Sequence, residues 1–171
     1  MPLEEEYSLT RKCLLVLDQL RINTMITTKA DSNLIFRDIE LLKNFKAEMT
    51  VLMGMSNMNQ VGKETQNNNI LAANKLSDNG IAVWAFLTPV LPHIMNVGEI
   101  ISALNADMPI FLDKLRINAN TIQAEKMTRF IERNFPEYIK QHDAIINEND
   151  ESYFDDLVDT YVDNDRVHIL F

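Results

Sequence analysis

The segment Gly80 to Asn96, GIAVWAFLTPVLPHIMN, carries no Asp, Glu, Lys or Arg and holds the single tryptophan of the chain, Trp84. In a soluble domain such a run must be covered by other elements on nearly every side. It sits inside a longer apolar stretch, Ile70 to Leu104, around which the remaining segments are arranged. Pro89 and Pro92 each remove a backbone donor and bias the preceding residue away from the helical conformation. The expected local structure is therefore a short buried helix over 81–87, a bend over 88–92 and a second helix over 93–104. Together they form a central helical hairpin with Trp84, Phe86, Leu87, Leu91 and Ile100 in the middle of the core.

Helical spacing recurs outside this hairpin. Leu9, Cys13, Val16, Leu17 and Leu20 fall three or four residues apart and make one apolar stripe, preceded by Glu4, Glu5 and Glu6 where the helix dipole favours acids. Residues 23–33 are Thr-rich and polar and read as a connection, with Asp31 or Ser32 placed to cap the next helix. Ile35, Ile39, Leu42, Phe45, Met49, Leu52 and Met53 continue at helical spacing up to Gly54, a natural stop. Residues 55–69 carry a weak seam of Met58, Val61, Thr65 and Asn68, read as a solvated helix or loop, with a helix pairing with another copy as the alternative. Asp107 and Pro109 open a helix over Ile110, Phe111, Leu112 and Leu115, and Asn120 with Gln123 opens another that buries Ala124, Met127 and Ile131. Pro136 resets the chain before a short helix, and only 166–171 suggest an extended ending. The fold class expected is all-α, a single-domain multi-helix bundle of seven or eight helices. With only four Gly and five Pro, a turn-rich β-sandwich is disfavoured. A domain of 171 residues buries roughly 70% of its unfolded surface and needs no disulfide or metal to hold it.

Chemistry-bearing patterns are scarce. Cys13 is the only cysteine, so no internal disulfide can form, and its leucine-rich setting suggests a packed hydrophobe in a reducing compartment. His93, His142 and His168 stand apart from any second ligand at metal spacing, and the acidic stretch 147–165 lacks the glycine and terminal glutamate of an EF-hand. No phosphate-binding loop, dinucleotide fingerprint or nucleophile elbow is present. The sequence thus offers no catalytic residue, no cofactor-binding residue and no metal ligand, and the expectation is a protein that is not an enzyme. The start, MPLEEEYSL, is acidic where a targeting peptide would be basic, and the apolar run is too broken by proline to span a bilayer. A cytoplasmic protein, or one of a host cytoplasm or virion, is expected.

The formal net charge of -9 is concentrated at the end. Residues 148–171 hold eight acids and one base, Arg166, for a net of -7. This divides the chain into a helical domain, 1–147, and an acidic-aromatic C-terminal segment, 148–171. The body has no basic cluster, which argues against direct nucleic-acid binding. In the tail, Tyr153, Phe154, Leu157, Val158 and Tyr161 form a broad apolar stripe while Asp155, Asp156 and Asp159 occupy the opposite face. These residues and Phe171 are the candidate partner-binding set, fitted to a protein with a basic-rimmed apolar groove. The alternative is that the same stripe packs on its own domain as a last helix. Acids leading into a hydrophobic end with a terminal Phe, over 163–171, resemble the C-terminal tips of single-strand-DNA-binding proteins, departing from them at Arg166 and His168. That resemblance implies recruitment of replication or repair enzymes.

The function these features point to is a non-enzymatic adaptor or assembly protein that forms a homo-oligomer, in keeping with its surplus of apolar helix faces. Its Asn- and Ile-rich usage suits a phage, a virus or an AT-rich bacterium, and with the first two a phage or viral structural or accessory component. The second reading is a regulator of replication or transcription machinery recruited through the tail.

Overall fold

Residues 82–90, expected as a buried helix up to 87 and a bend from 88, form instead the middle strand of a five-stranded parallel sheet. The computed structural model describes residues 2–29, 32–55 and 63–171. Two helices, α1 (Pro2–Tyr7) and α2 (Leu9–Gln19), precede β1 (Thr24–Thr28). Then come α3 (Ser32–Arg37), α4 (Ile39–Lys43), β2 (Met49–Gly54), α5 (Lys63–Asp78), β3 (Ala82–Val90), α6 (Val97–Ala103) and β4 (Ile110–Lys114). The last elements are α7 (Ile122–Asn134), α8 (Ile139–Asp143), α9 (Ser152–Tyr161) and β5 (Val167–Ile169), a 3₁₀ turn and a π turn flanking α8. The all-α bundle and its central helical hairpin are thereby corrected to an α/β architecture.

The strands lie in chain order, β1-β2-β3-β4-β5, every neighbouring pair parallel. A parallel strand can be reached only by a crossover, and right-handed crossovers that always step the same way put every helix on one face of the sheet. The burial pattern agrees. Val51 and Met53 of β2, Val83, Ala85 and Leu87 of β3, and Ile110 and Leu112 of β4 alternate with less buried residues and point to the helices. There they meet Ala72, Ala73 and Leu76 of α5, Ile100 of α6 and Ile131 of α7 in one core. Of the five residues expected at the centre, Leu87, Leu91 and Ile100 are buried, whereas Trp84 and Phe86 are half-buried on the opposite face.

Local chemistry explains several boundaries. The end of α5 is set by Gly80, whose φ of 78° is open to glycine without a Cβ penalty, and the Gly80 amide donates to Ser77 O at 2.8 Å. Thr121 caps α7 by accepting from the Ala124 amide at 3.2 Å, one residue after the Asn120 start read from the sequence. Thr24–Thr28, read as a polar connection, is a strand: threonine is β-branched and suits a pleated edge with one side exposed. The long helix expected up to Gly54 divides into α3, α4 and β2, and the helix expected over 110–115 is β4. Of the seam in 55–69, residues 56–62 lie outside the described residues, as does Asp31.

The C-terminal segment supplies the fifth strand. Arg166 donates through Nη1 to Asn105 O at 2.7 Å and through Nη2 to Ile101 O, satisfying carbonyls at the end of α6 with a cation where the helix dipole favours one. Leu87 is fully buried between sheet and helices. Leu87→Ala should therefore cost about 2–5 kcal/mol, while Met25→Ala on the exposed face of β1 should stay within about 0.5 kcal/mol. Equilibrium urea unfolding of the two variants checks this ordering.

Candidate functional site on the uncovered face of the sheet

Side chains at alternate positions point away from the helices and line the other face. In successive strands these are Met25 and Thr27, Thr50 and Leu52, Trp84 and Phe86, Phe111 and Asp113, and His168, all exposed or half-buried. The register brings Gly54, Phe86, Phe111 and His168 into one row across four strands. Phe86 and Phe111 stack with ring centroids 4.7 Å apart and planes 16° from parallel, and Phe111 and His168 stack at 4.7 Å and 29°. Trp84, one pleat closer to the amino ends, lies 5.2 Å from Phe111. Spacings of this kind are those at which aromatic pairs attract, so each ring holds the next in place. At the β2 end the row stops at Gly54, where a built Cβ would lie 2.9 Å from Lys29 Cγ and 3.3 Å from Lys29 Cε. The Lys29 stem thus runs over the one position of the row that has no side chain.

Polar groups gather at the carboxyl-terminal ends of the strands. Asp113 pairs with Arg116 at 2.7 Å, and Arg116 also reaches Leu170 O at 3.3 Å. Lys114 pairs with Glu151 and stands 6.0 Å from the rings of Phe154 and Phe171. Just past β3, His93 has φ 61° and its ring stacks 5.8 Å from Tyr138 and 4.9 Å edge-on from Tyr153. The arrangement can hold a flat organic ring on the aromatic row and places an imidazole, His168, at its end as a hydrogen-bonding group. Among the described residues no three His, Cys, Asp or Glu side chains converge as metal ligands.

The residues singled out in the tail are placed differently from one another. Phe154 and Leu157 are buried in the core of the chain itself. Tyr153, Val158, Tyr161 and Phe171 are half-buried, and Asp155, Asp156 and Asp159 are exposed. Phe154 and Phe171 meet edge-on at 5.3 Å, and the Tyr161 hydroxyl packs 3.4 Å from where Gly98 of α6 would carry a Cβ. Burial pushes the Tyr153 and Tyr161 hydroxyls above the ordinary tyrosine range. Cys13, expected to pack, is exposed on α2. The row that the structure does assemble, Trp84, Phe86, Phe111 and His168, is absent from the set that the sequence singles out. Its signal is the alternation of aromatic with small or aliphatic residues in Val83-Trp84-Ala85-Phe86-Leu87, a period of two.

No family model matches the chain. It is 26% identical over 169 residues to an uncharacterized protein of Methanocaldococcus jannaschii, MJ0683, covering 93% of this chain and 61% of that relative, so the chain spans about three fifths of the relative's length. Two solved structures overlap it, each at 14% identity. SuiB of Streptococcus suis bound to S-adenosylmethionine covers 80% of this chain and 34% of its own, with a TM-score of 0.49. The probable 3-DHS dehydratase AsbF of Bacillus anthracis covers 99% and 77%, with a TM-score of 0.35. The architecture corrects the expectation of a non-enzymatic adaptor, phage or viral assembly protein, or tail-recruited regulator. That expectation rested on an all-α bundle without a site, and the chain instead has a parallel α/β sheet of the kind that carries enzyme sites at its carboxyl-terminal edge. No described helix is long and apolar enough to cross a membrane.

One titratable group is deeply buried near the segment that follows β3. His142 is 1% exposed, its Nε2 lies 3.0 Å from Pro92 O, and its Nδ1 has no partner. Burial pushes its pKa down from the ordinary value, the Pro92 carbonyl opposes this, and nearby His93 adds to the lowering. The unfolded chain therefore takes up a proton first as pH falls. Stability should be at its full value above about pH 6.5 and decline as pH drops below it. Thermal melts between neutral and mildly acid pH should show this decline, reduced in His142→Phe.

Proposed function

We propose that this chain forms the ligand-binding core of a barrel-type α/β enzyme, with a small ring-bearing organic molecule seated on the uncovered face of the sheet. The observation that carries the reading is the ordered row of Phe86, Phe111 and His168, joined by Trp84, on the face of the sheet opposite the described core helices. Large aromatic side chains left half-buried in register are a surface for flat apolar ligands, since each offers area at little entropic cost. Singly wound parallel sheets place their ligands at the carboxyl ends of the strands, where Lys29, Asp113, Lys114 and Arg116 supply charge. His168, exposed at the end of the row, is assigned the proton-transfer role.

Trp84 is the only tryptophan and reports on this face alone. Its fluorescence is to be titrated with nucleosides, aromatic amino acids and S-adenosylmethionine. At least one ring-bearing compound should perturb the emission saturably, and Phe86→Ala or Phe111→Ala should weaken that response at least tenfold, a loss of about 1.4 kcal/mol, with the far-ultraviolet spectrum unchanged. A saturable response unaffected by both substitutions would move the site elsewhere.

A further inference from the structure

The loop from Leu91 to Asn96 carries the chain from the carboxyl-terminal end of β3 to the start of α6. It is tightly folded: the Ile94 amide donates to Pro92 O at 2.7 Å and the Met95 amide to Leu91 O at 2.9 Å. Leu91, Pro92, Ile94 and Met95 are buried, while His93 is turned out at φ 61° with its ring against Tyr138 and Tyr153. Two side chains from later elements reach the backbone of this loop, the Tyr153 hydroxyl at His93 and Nε2 of His142 at Pro92 O. Of the two, only an imidazole changes charge in the range of mildly acid pH. We propose that His142 is a pH-sensitive latch on this loop: neutral, it ties α8 to the Pro92 carbonyl, and protonated, it releases the loop and draws His93 from its seat between the two tyrosines.

The hydrogen bonds fix the proton. A carbonyl oxygen only accepts, so Nε2 of His142 carries the hydrogen at 3.0 Å from Pro92 O and Nδ1 holds a lone pair. That nitrogen is buried and has no donor among the described residues. A ring that takes up a proton here gains a positive charge and a second N–H at once. The new N–H meets no acceptor, and a side chain 1% exposed keeps the charge from solvent. The surroundings offer no counterion. α8 packs against α7 and the two turns that flank it, and every charged side chain on these elements is exposed, Glu132, Arg133, Glu137, Lys140, Asp143 and Glu148 among them. The acids of α9 are exposed as well, and Glu151 before it is taken up by Lys114. The charge that acts on His142 is that of His93, which has the same sign, and the Asp150 carboxylate acts on His93. Protonation therefore favours a conformation in which the ring reaches water. α8 is only five residues long and runs into a π turn, so the smallest such movement parts the ring from the Pro92 carbonyl. The latch acts whether or not the aromatic row holds a ligand.

With the ring neutral in the closed loop and titrating near its ordinary value of about 6.5 in the open one, the open-to-closed ratio rises about tenfold between about pH 7.5 and about pH 5.5. Hydrogen exchange of the full chain, read amide by amide and corrected for the intrinsic rate at each pH, measures this ratio. Protection of the Ile94 and Met95 amides should fall about tenfold over that interval, through an opening that low urea does not accelerate because it exposes little surface. Glutamine offers an N–H at similar reach and does not titrate. His142→Gln should therefore keep most of the neutral-pH protection and change by less than about twofold with pH, whereas His93→Gln should retain the dependence. In the wild-type chain, ¹⁵N shifts should show His142 as the neutral Nε2-protonated form at neutral pH, and any charging at lower pH should coincide with loss of protection in the loop. That measurement needs no variant to fold. Loop protection independent of pH, a tenfold fall that persists in His142→Gln, a fall with the full urea dependence of global unfolding, or a His142 that charges while the loop stays protected would each overturn the proposal.

Discussion

Parallel pairing of consecutive strands governs the rest of this molecule. Each strand can join its predecessor only after the chain has returned to the starting end of the sheet, and each return here contains helix. Because all the returns step the same way, the helices collect on one face and bury one set of alternate side chains. The opposite set, Trp84, Phe86, Phe111 and His168 among it, is left half-buried or exposed by the same rule, with no described helix over it. The apolar core and the open aromatic row are two outcomes of a single topological constraint.

The asymmetry is visible in how the two faces use their residues. The helix side is filled by Val51, Met53, Ala85, Leu87, Ile110 and Leu112, aliphatic and small side chains that allow close approach of α5 and α6. The open side carries rings that hold each other at stacking distance. A fully buried strand would need no such lateral order, because packing from above would fix its side chains. Here the lateral contacts, Phe86 to Phe111 to His168, perform that task with no covering layer among the described residues.

Some of this is legible in the residues. The alternation from Val83 to Leu87 and the four β-branched residues among Thr24–Thr28 are strand signals, and the capped starts of α6 and α7 at Asn96 and Thr121 lie close to where helices are expected. The error comes from β3. When both faces of a strand are apolar, as in IAVWAFL, the hydrophobic pattern has no period and a helix fits as well as a strand. Mistaking that one element for a helix removes the sheet, since β2 and β4 pair with it and have no other feature to suggest their state. The candidate site goes with it, because its row exists only in register: Gly54, Phe86, Phe111 and His168 lie far apart in the chain and share nothing until the strands align. In the tail, periodicity finds the apolar stripe of α9 but does not say which core it meets, and Phe154 and Leu157 meet their own.

The ordered succession of strands also bears on how the chain is made. A sheet in which each strand lies beside the one synthesised before it can grow as the polypeptide leaves the ribosome, with no early strand waiting for a partner from far downstream. β5 differs in timing: α7, α8 and α9 are all translated between it and β4. Until Val167–Ile169 emerge, β4 remains an open edge, the carbonyls of Ile101 and Asn105 lack the Arg166 that later binds them, and the row on the uncovered face has no imidazole. The nascent chain therefore acquires most of its core first and its complete aromatic row only with the last of the five strands.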